Sequence, residues 1–457
     1  MDAAFQIAAA DNVAVALRPL AAGESAAGVT VASDVAEGHK IAVRPIAADE
    51  PVLKFGFPIG TATRDIAPGE HVHTHNVRTA LAATGSYTWQ PAAPKAGEPV
   101  EAGFMGYRRP DGRVGTRNEI WVIPTVGCVA RTAQKIAERA HRLHAGHGID
   151  GVHAFAHPFG CSQLGDDLAG TAKLLAGLAS HPNAGGVLIV GLGCESNQTG
   201  KLLELIDHPN LRTLGAQAAE DEVEEGLALV ADLVEQARAE PTSAPLSDLV
   251  LGVKCGGSDG FSGLTANPLV GRMSDAVTAS GGTAILTEIP EIFGAEQLLM
   301  ERATDQSVFD GIVALVNGFK RYFTDHGEPV SENPSPGNIA GGITTLEEKS
   351  LGAVQKGGHA PVTDVLGYGE RVRRRGLTLL EAPGNDAVSS TALAAAGATV
   401  ILFTTGRGTP LGFPVPTVKI ASNHDLAQRK PGWIDFDAGD VLDRGMEAAA
   451  EDLLRLV

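Results

Sequence analysis

The stretch GEHVHTHN, Gly69 to Asn76, sets His71, His73 and His75 at every second position. In extended backbone alternate side chains share a face, so the three imidazoles would project together. Such a row suits a wet surface, a metal ion, or proton transfer near neutral pH. Four cysteines form a second set. Cys128, Cys161 and Cys194 follow one another at intervals of 33 residues, each just after an apolar run. Cys255 closes a fourth such run, in KCGG. A free cysteine is usually a small buried hydrophobe, but thiols at strand ends are placed to ligate or react. They suit direct iron ligation, an iron–sulfur cluster or the wall of a substrate pocket. The chain has no CxxC pair, which argues against a structural zinc site. His157, four residues before Cys161 in HPFGC, joins this set as a ligand or general base.

The later loops KCGGSDGFSGLTANP, ENPSPGN, APGNDAVSS and FTTGRGTP place glycine beside hydroxyl and amide groups. Tight turns explain that composition, yet the same groups can crowd a polyhydroxylated ligand. Lys254, Arg407 and Lys419 are the cations expected to grip a carboxylate, with Arg113 and Arg117 as further candidates. GLGCES, Gly191 to Ser196, tempts a dinucleotide reading, but the third glycine is missing and no acidic residue ends the next strand.

These residues need a frame. With 457 residues the chain has room for two or three cored domains, and 44% hydrophobic with 20% charged residues is ordinary globular composition. Residues 1–89 read as short β pieces separated by turn signals, and 90–103 as an extended Pro/Ala/Gly linker. From Glu119 the texture alternates between strand and helix, which predicts parallel sheets covered on both faces over 104–242 and again over 243–457. The expected fold class is thus α/β: a small β-rich domain followed by two Rossmann-like regions. An interval of 33 residues is close to one βαβ unit, so right-handed crossovers would bring Cys128, Cys161 and Cys194 to one carboxy-terminal sheet edge. A net charge of −18 argues against nucleic acid as a partner. The chain shows neither a bilayer-length apolar run nor a signal peptide, so a cytoplasmic setting with reduced thiols is expected.

In order along the chain, DNVAVAL, GHK, GEHVHTHN, GTRNEIWVIPTVGC, GCSQLGDD, GLGCESNQ, KCGGSDGFSGLTANP, ENPSPGN, GGITTLEEKSLG and FTTGRGTP resemble the altronate dehydratases, grouped with galactarate dehydratase and sulfolactate sulfo-lyase. The resemblance spans about Asp11 to Gly439 and implies an SAF-type amino-terminal domain and iron dependence, with Mn²⁺ as a substitute. It implies dehydration of D-altronate to 2-dehydro-3-deoxy-D-gluconate; galactarate or sulfolactate chemistry, or a non-catalytic sugar-acid binder, are the alternatives. The histidine row favours the altronate branch. On this reading a subset of Cys161, Cys194, Cys255, His73 and His75 captures the metal, and His157 or one of His71, His73 and His75 moves protons. Lys254, Arg407 and Lys419 would hold the carboxylate, and Ser258, Asp259, Asn267 and Asn338 the hydroxyls. A mononuclear Fe²⁺ is favoured over a cluster, and the oligomeric state is open, a homodimer being one option. Members of the family are also expected to continue past the position of Val457, through a cysteine-bearing tail.

Overall fold

The computed structural model describes residues 2–92 and 97–457. Its amino-terminal part is built from strands of two to six residues, too short to form a broad sheet. Four of them, Ala4–Phe5, Val13–Ala16, Lys40–Ala42 and His71–Val72, pair antiparallel in that order. Pro51–Lys54, Phe57–Ala62 and Val77–Arg78 form a second antiparallel sheet. Val13, Ala42, Ile46, Val52, Ile59, Ile66 and Val72 are buried in the same core cluster as Leu269, Phe293 and Leu346 of the last region, so the small domain packs as part of that body.

The extended segment over 90–103 ends at Gly103, where Gly103–Arg108 begins a strand; residues 93–96 of that segment lie outside the described residues. Gly103–Arg108 pairs antiparallel with Thr242–Pro245. This pair flanks the middle region at its two ends and closes it off as a unit.

The middle region carries a four-stranded parallel sheet in the order Gly151–Ala154, Glu119–Pro124, Ala184–Gly191, Leu211–Gly215. Ala184–Gly191 is buried along its whole length, as a central parallel strand with both faces covered should be. The last region holds a seven-stranded parallel sheet in the order Val362–Leu366, Gly376–Leu380, Thr283–Leu286, Val250–Cys255, Val400–Thr405, Thr417–Ala421, Phe436–Asp437. The helices Gly165–Ala179 and Asp386–Ala396 pack against each other and join the two regions across an apolar layer that includes Leu178 and Leu393. Both large sheets therefore present carboxy-terminal strand edges, where open α/β sheets bind ligands. Among the described residues no helix is long and apolar enough to cross a membrane.

Candidate active site

The histidine row is not one continuous strand. The strand ends at Val72, because the buried Asn76 side chain turns the chain: its Oδ1 accepts the His73 N–H at 2.9 Å, and its Nδ2 donates to the His71 carbonyl at 2.9 Å. His71 and His73 still stack, with ring centroids 5.5 Å apart, but His75 swings onto the exposed turn, 5.3 Å from the His71 ring. The third inward imidazole is His39. Lys40 pairs with Val72 and Ile41 with His71, so antiparallel register puts His39 opposite His73, and their rings lie 4.8 Å apart. His39, His71 and His73 each offer a ring nitrogen, and these nitrogens lie within 4.8 Å of one another.

Burial sets the electrostatics of this trio. Loss of water pushes His71 down to about 4, with His39 and His75 adding to the effect, and pushes His73 down to about 3, with Lys40 contributing. Burial also lowers His39. At neutral pH all three rings are neutral and carry lone pairs. Two of the rings have oxygen partners: His39 Nε2 faces the Ala340 carbonyl at 3.4 Å and His73 Nδ1 faces Thr344 Oγ1 at 3.2 Å. His39 Nδ1 and His71 Nε2 meet at 3.0 Å and share a proton that a metal ion would displace, while the Ala340 carbonyl behind His39 orients that ring as second partners do for metal-ligating histidines.

The last region supplies the floor. Lys40 donates to the Gly342 carbonyl at 2.6 Å and pairs with Glu348 at 2.9 Å; Lys54 pairs with the same carboxylate at 2.8 Å. All three charged side chains are at most 2% exposed. Glu348 sits on the helix Leu346–Ala353, whose Thr345 cap also donates to the Ile59 carbonyl. Glycine permits this docking, since a Cβ at Gly260 or Gly342 would run into the Gly38 carbonyl. Beside the contact opens a cavity of about 320 Å³ lined by Glu37, Gly38, Asp259, Ala340, Gly341 and Arg407, among others.

Arg407 is exposed at this cavity. Asp259 is held at its wall by Ser262 Oγ and Ser422 Oγ, both at 2.8 Å, and by Asn423 Nδ2 at 2.9 Å; burial raises its carboxyl despite these bonds. Ser258 contributes a backbone carbonyl, which accepts from Asn338 Nδ2 at 2.8 Å. Asn267 is tied to Thr404 Oγ1 at 2.6 Å and to the Gly352 carbonyl at 3.1 Å. Asn267 and Asn338 thus brace the loops that shape the cavity.

Lys254 lies deeper, fully enclosed, with its ammonium on Glu288 at 2.9 Å, Asp386 at 2.8 Å and Ser389 at 2.9 Å. Its charge is already matched by two carboxylates. Cys255 is buried beside it: Lys356 donates to its sulfur at 2.8 Å, the thiol meets Glu291 at 3.4 Å, and burial pushes the thiol up to about 12. Its sulfur does share a ligand-type grouping, within 4.8 Å, with oxygens of Glu288 and Glu291, but within this network of charged groups Lys254, Lys349 and Lys356 already pair with those carboxylates. Lys349 links the network to the cavity wall, reaching Glu291 at 2.8 Å and Asn338 at 3.3 Å. Lys419 is buried over the Phe403 ring and donates to the carbonyls of Thr409 and Leu411 at 2.8 and 2.6 Å; burial pushes it down to about 8.

The three periodic cysteines do share one sheet edge, and all are exposed. Their loops are stitched together: Gly127 N–H to the Phe159 carbonyl at 2.9 Å, Asn197 N–H to the Gly160 carbonyl at 2.9 Å, and Ser162 N–H to Ser196 Oγ at 3.2 Å. Among the described residues their sulfurs do not join a group of ligand atoms within 4.8 Å. His157 organises this edge: its Nε2 donates to the Pro124 carbonyl at 2.8 Å and its Nδ1 accepts the Phe159 N–H at 3.2 Å, so neither nitrogen is left for a metal or a proton. In GLGCES, Glu195 accepts the N–H groups of Leu192 and Gly193 at 3.0 and 2.6 Å and the Thr125 hydroxyl at 2.6 Å. The loop therefore satisfies its own donors and offers none to a pyrophosphate. Arg113 and Arg117 lie away from the cavity, Arg113 pairing with Asp111 and Arg117 donating to the Thr116 carbonyl at 3.0 Å.

Three family models match in series: the altronate/galactarate dehydratase SAF domain over residues 2–80, the D-galactarate dehydratase/altronate hydrolase second domain over 106–238, and the D-galactarate/altronate dehydratase C-terminal domain over 246–457. Altronate dehydratase of Bacillus subtilis is 51% identical over 441 residues, covering 94% of this chain and 88% of its own. This chain belongs to the altronate/galactarate dehydratase family. Altronate dehydratase of Escherichia coli is likewise 51% identical over 452 residues, covering 96% of this chain and 90% of its own. The L-threo-forming galactarate dehydratase of Escherichia coli is 33% identical over 438 residues, covering 91% of this chain and 83% of its own. For this family the three matched parts correspond to the β-rich domain, the four-stranded sheet and the seven-stranded sheet.

Proposed function

We propose that this protein is a hydro-lyase that dehydrates D-altronate to 2-dehydro-3-deoxy-D-gluconate, with its reaction centre where His39, His71 and His73 meet the Ala340–Thr344 segment. One observation carries the site assignment: three buried, neutral imidazoles from the SAF domain converge beside a polar cavity that belongs mostly to the C-terminal domain. The similarity to two altronate dehydratases at 51% identity selects the substrate over galactarate, whose dehydratase is 33% identical.

The donor set fits a divalent iron ion. Neutral imidazoles suit Fe²⁺ and, less tightly, Mn²⁺, and three of them leave positions open for substrate oxygens. Through the nitrogens turned away from Ala340 and Thr344, His39 and His73 would hold the ion, with His71 as the third ligand; the proton now shared between His39 Nδ1 and His71 Nε2 at 3.0 Å would leave on binding. When bound, it would supply Lewis acidity toward the carboxylate and adjacent hydroxyl of the sugar acid.

The chain's own residues do the rest. Arg407, whose guanidinium forms no ion pair among the described residues, binds the substrate carboxylate. Asp259, buried with a raised carboxyl, accepts or donates a hydrogen bond to a hydroxyl at the cavity wall. His75, exposed beside His71, would take the proton α to the carboxylate. As the C–H bond breaks, its electron pair forms the C=C bond and the β-hydroxyl leaves as water with the proton that His75 has taken, which returns the imidazole to its neutral form; the enol then tautomerises to the 2-keto acid.

The test is turnover by anaerobically iron-loaded protein. D-altronate should give a 2-keto-3-deoxy acid, and His75→Ala should lower the rate by about 10²-fold or more, as loss of a general base does. Turnover of D-galactarate in preference to D-altronate would overturn the substrate. Full iron uptake by a His39→Ala variant would overturn the ligand set.

A further inference from the structure

A second cavity, of about 390 Å³, lies at the opposite end of the large sheet. Val250, Thr283 and Thr399 at its wall stand at or next to the amino-terminal ends of their strands, whereas the reaction centre lies beyond the carboxy-terminal ends. The strand Val250–Cys255 alone separates the two edges by roughly 17 Å, at about 3.3 Å per residue. Five arginines line the cavity, Arg113 and four from the RVRRR run of Arg371–Arg375, against two carboxylates, Asp111 and Asp248. In a chain of net charge −18 this wall carries an excess of guanidinium groups over carboxylates.

Three of the five have carboxylate partners. Arg113 pairs with Asp111 at 2.5 Å, Arg373 with Asp364 at 3.3 Å and Arg375 with Asp248 at 3.8 Å. Arg374 reaches only the Thr363 carbonyl, at 3.3 Å, through one nitrogen. Arg371 is half-buried, has Arg113 and the carboxylates of Asp207 and Asp111 in its neighbourhood, and makes neither a hydrogen bond nor an ion pair with any of them among the described residues. A guanidinium that has lost part of its water and gained no acceptor is poised for a ligand. Ser247, Thr283 and Thr399 add hydroxyl-bearing residues to the wall. The helix carbonyl that opposes an anion here, that of Ala396, is already capped by the Val372 N–H at 3.0 Å.

We infer that this cavity binds a small phosphate-bearing metabolite, with Arg371 and Arg374 forking its phosphate. Guanidinium forks match phosphate oxygens in pairs, and the cavity is larger than inorganic phosphate needs, leaving room for an organic group. The site is separate from the reaction centre and shares no residue with it.

Isothermal titration of the full chain at fixed ionic strength tests this, with glucose 6-phosphate in one arm and inorganic phosphate in the other. Saturable binding of either probe, weakened at least about tenfold by Arg371→Gln and by Arg374→Gln and unchanged by Arg407→Ala, is the expected result. Tighter binding of the ester assigns the site to an organic phosphate; equal binding assigns it to free phosphate. Arg374 is exposed, so its replacement keeps the test valid if Arg371→Gln does not fold. Absence of saturable binding in both arms, binding that neither glutamine variant weakens, or binding lost in Arg407→Ala would overturn the inference.

Discussion

Replacing Glu348 with glutamine tests how the SAF domain is held against the C-terminal domain. The carboxylate neutralises Lys40 and Lys54 at 2.9 and 2.8 Å and accepts the Thr344 N–H at 2.8 Å, with no appreciable exposure of any charged partner. Removing one member of a buried ionic group leaves the others uncompensated and costs about 3–5 kcal/mol. The carboxyl itself points to the same scale. Despite burial, Lys40 and Lys54 hold it down to about 2 from 4.5, which corresponds to roughly 3 kcal/mol. Because the folded value is the lower one, this stability is complete above pH 4.5 and is lost as the pH falls toward about 2. In Glu348→Gln the protection of the Lys40–Ala42 and His71–Val72 amides against hydrogen exchange should fall by about 10²–10³-fold, while that of Ala184–Gly191 in the middle domain should stay unchanged. The acid sensitivity of the docked state should weaken in the same variant. A fall of less than about fivefold would refute the reasoning, since the pair would then be replaceable by a neutral amide.

Other outcomes follow from the same geometry. Iodoacetamide at pH 8 should label Cys128, Cys161 and Cys194 of the metal-free native protein and spare Cys255, whose thiol is buried and pushed up to about 12; intact mass will show three additions, and a fourth only on unfolding. His157→Ala should leave iron stoichiometry unchanged but raise hydrogen exchange in the loop carrying Phe159 and Cys161, because the ring's two bonds are structural. Glu195→Ala should destabilise the middle domain by about 1–3 kcal/mol in urea unfolding, as two N–H groups and a hydroxyl lose their acceptor.

Much of this frame is legible in residue order. Strand–helix alternation from Glu119 gives two parallel sheets, and the interval of 33 residues does put three cysteines on one edge, since each βαβ unit returns the chain to the same side. The histidine spacing is legible as well, but its geometry is not: Asn76 folds back on His71 and His73 and turns His75 away. His39 escapes a local reading because it reaches the trio only through cross-strand register, 32 positions before His71. The same holds for Glu348, Lys349, Glu288 and Glu291. Each looks like an ordinary surface charge in sequence, and only tertiary packing buries it against a lysine or binds it to a carboxylate. Conversely, Lys254 reads as a free cation for a carboxylate substrate, yet Glu288 and Asp386 already occupy it.

Iron K-edge X-ray absorption on the anaerobically loaded full chain probes the heart of the account. Imidazole nitrogen and oxygen around a single iron, lost together with bound iron in His39→Ala and His73→Ala, is the predicted spectrum. Sulfur in the nearest coordination shell, or an iron–iron contact, would contradict it and move the centre to the cysteine-bearing edge.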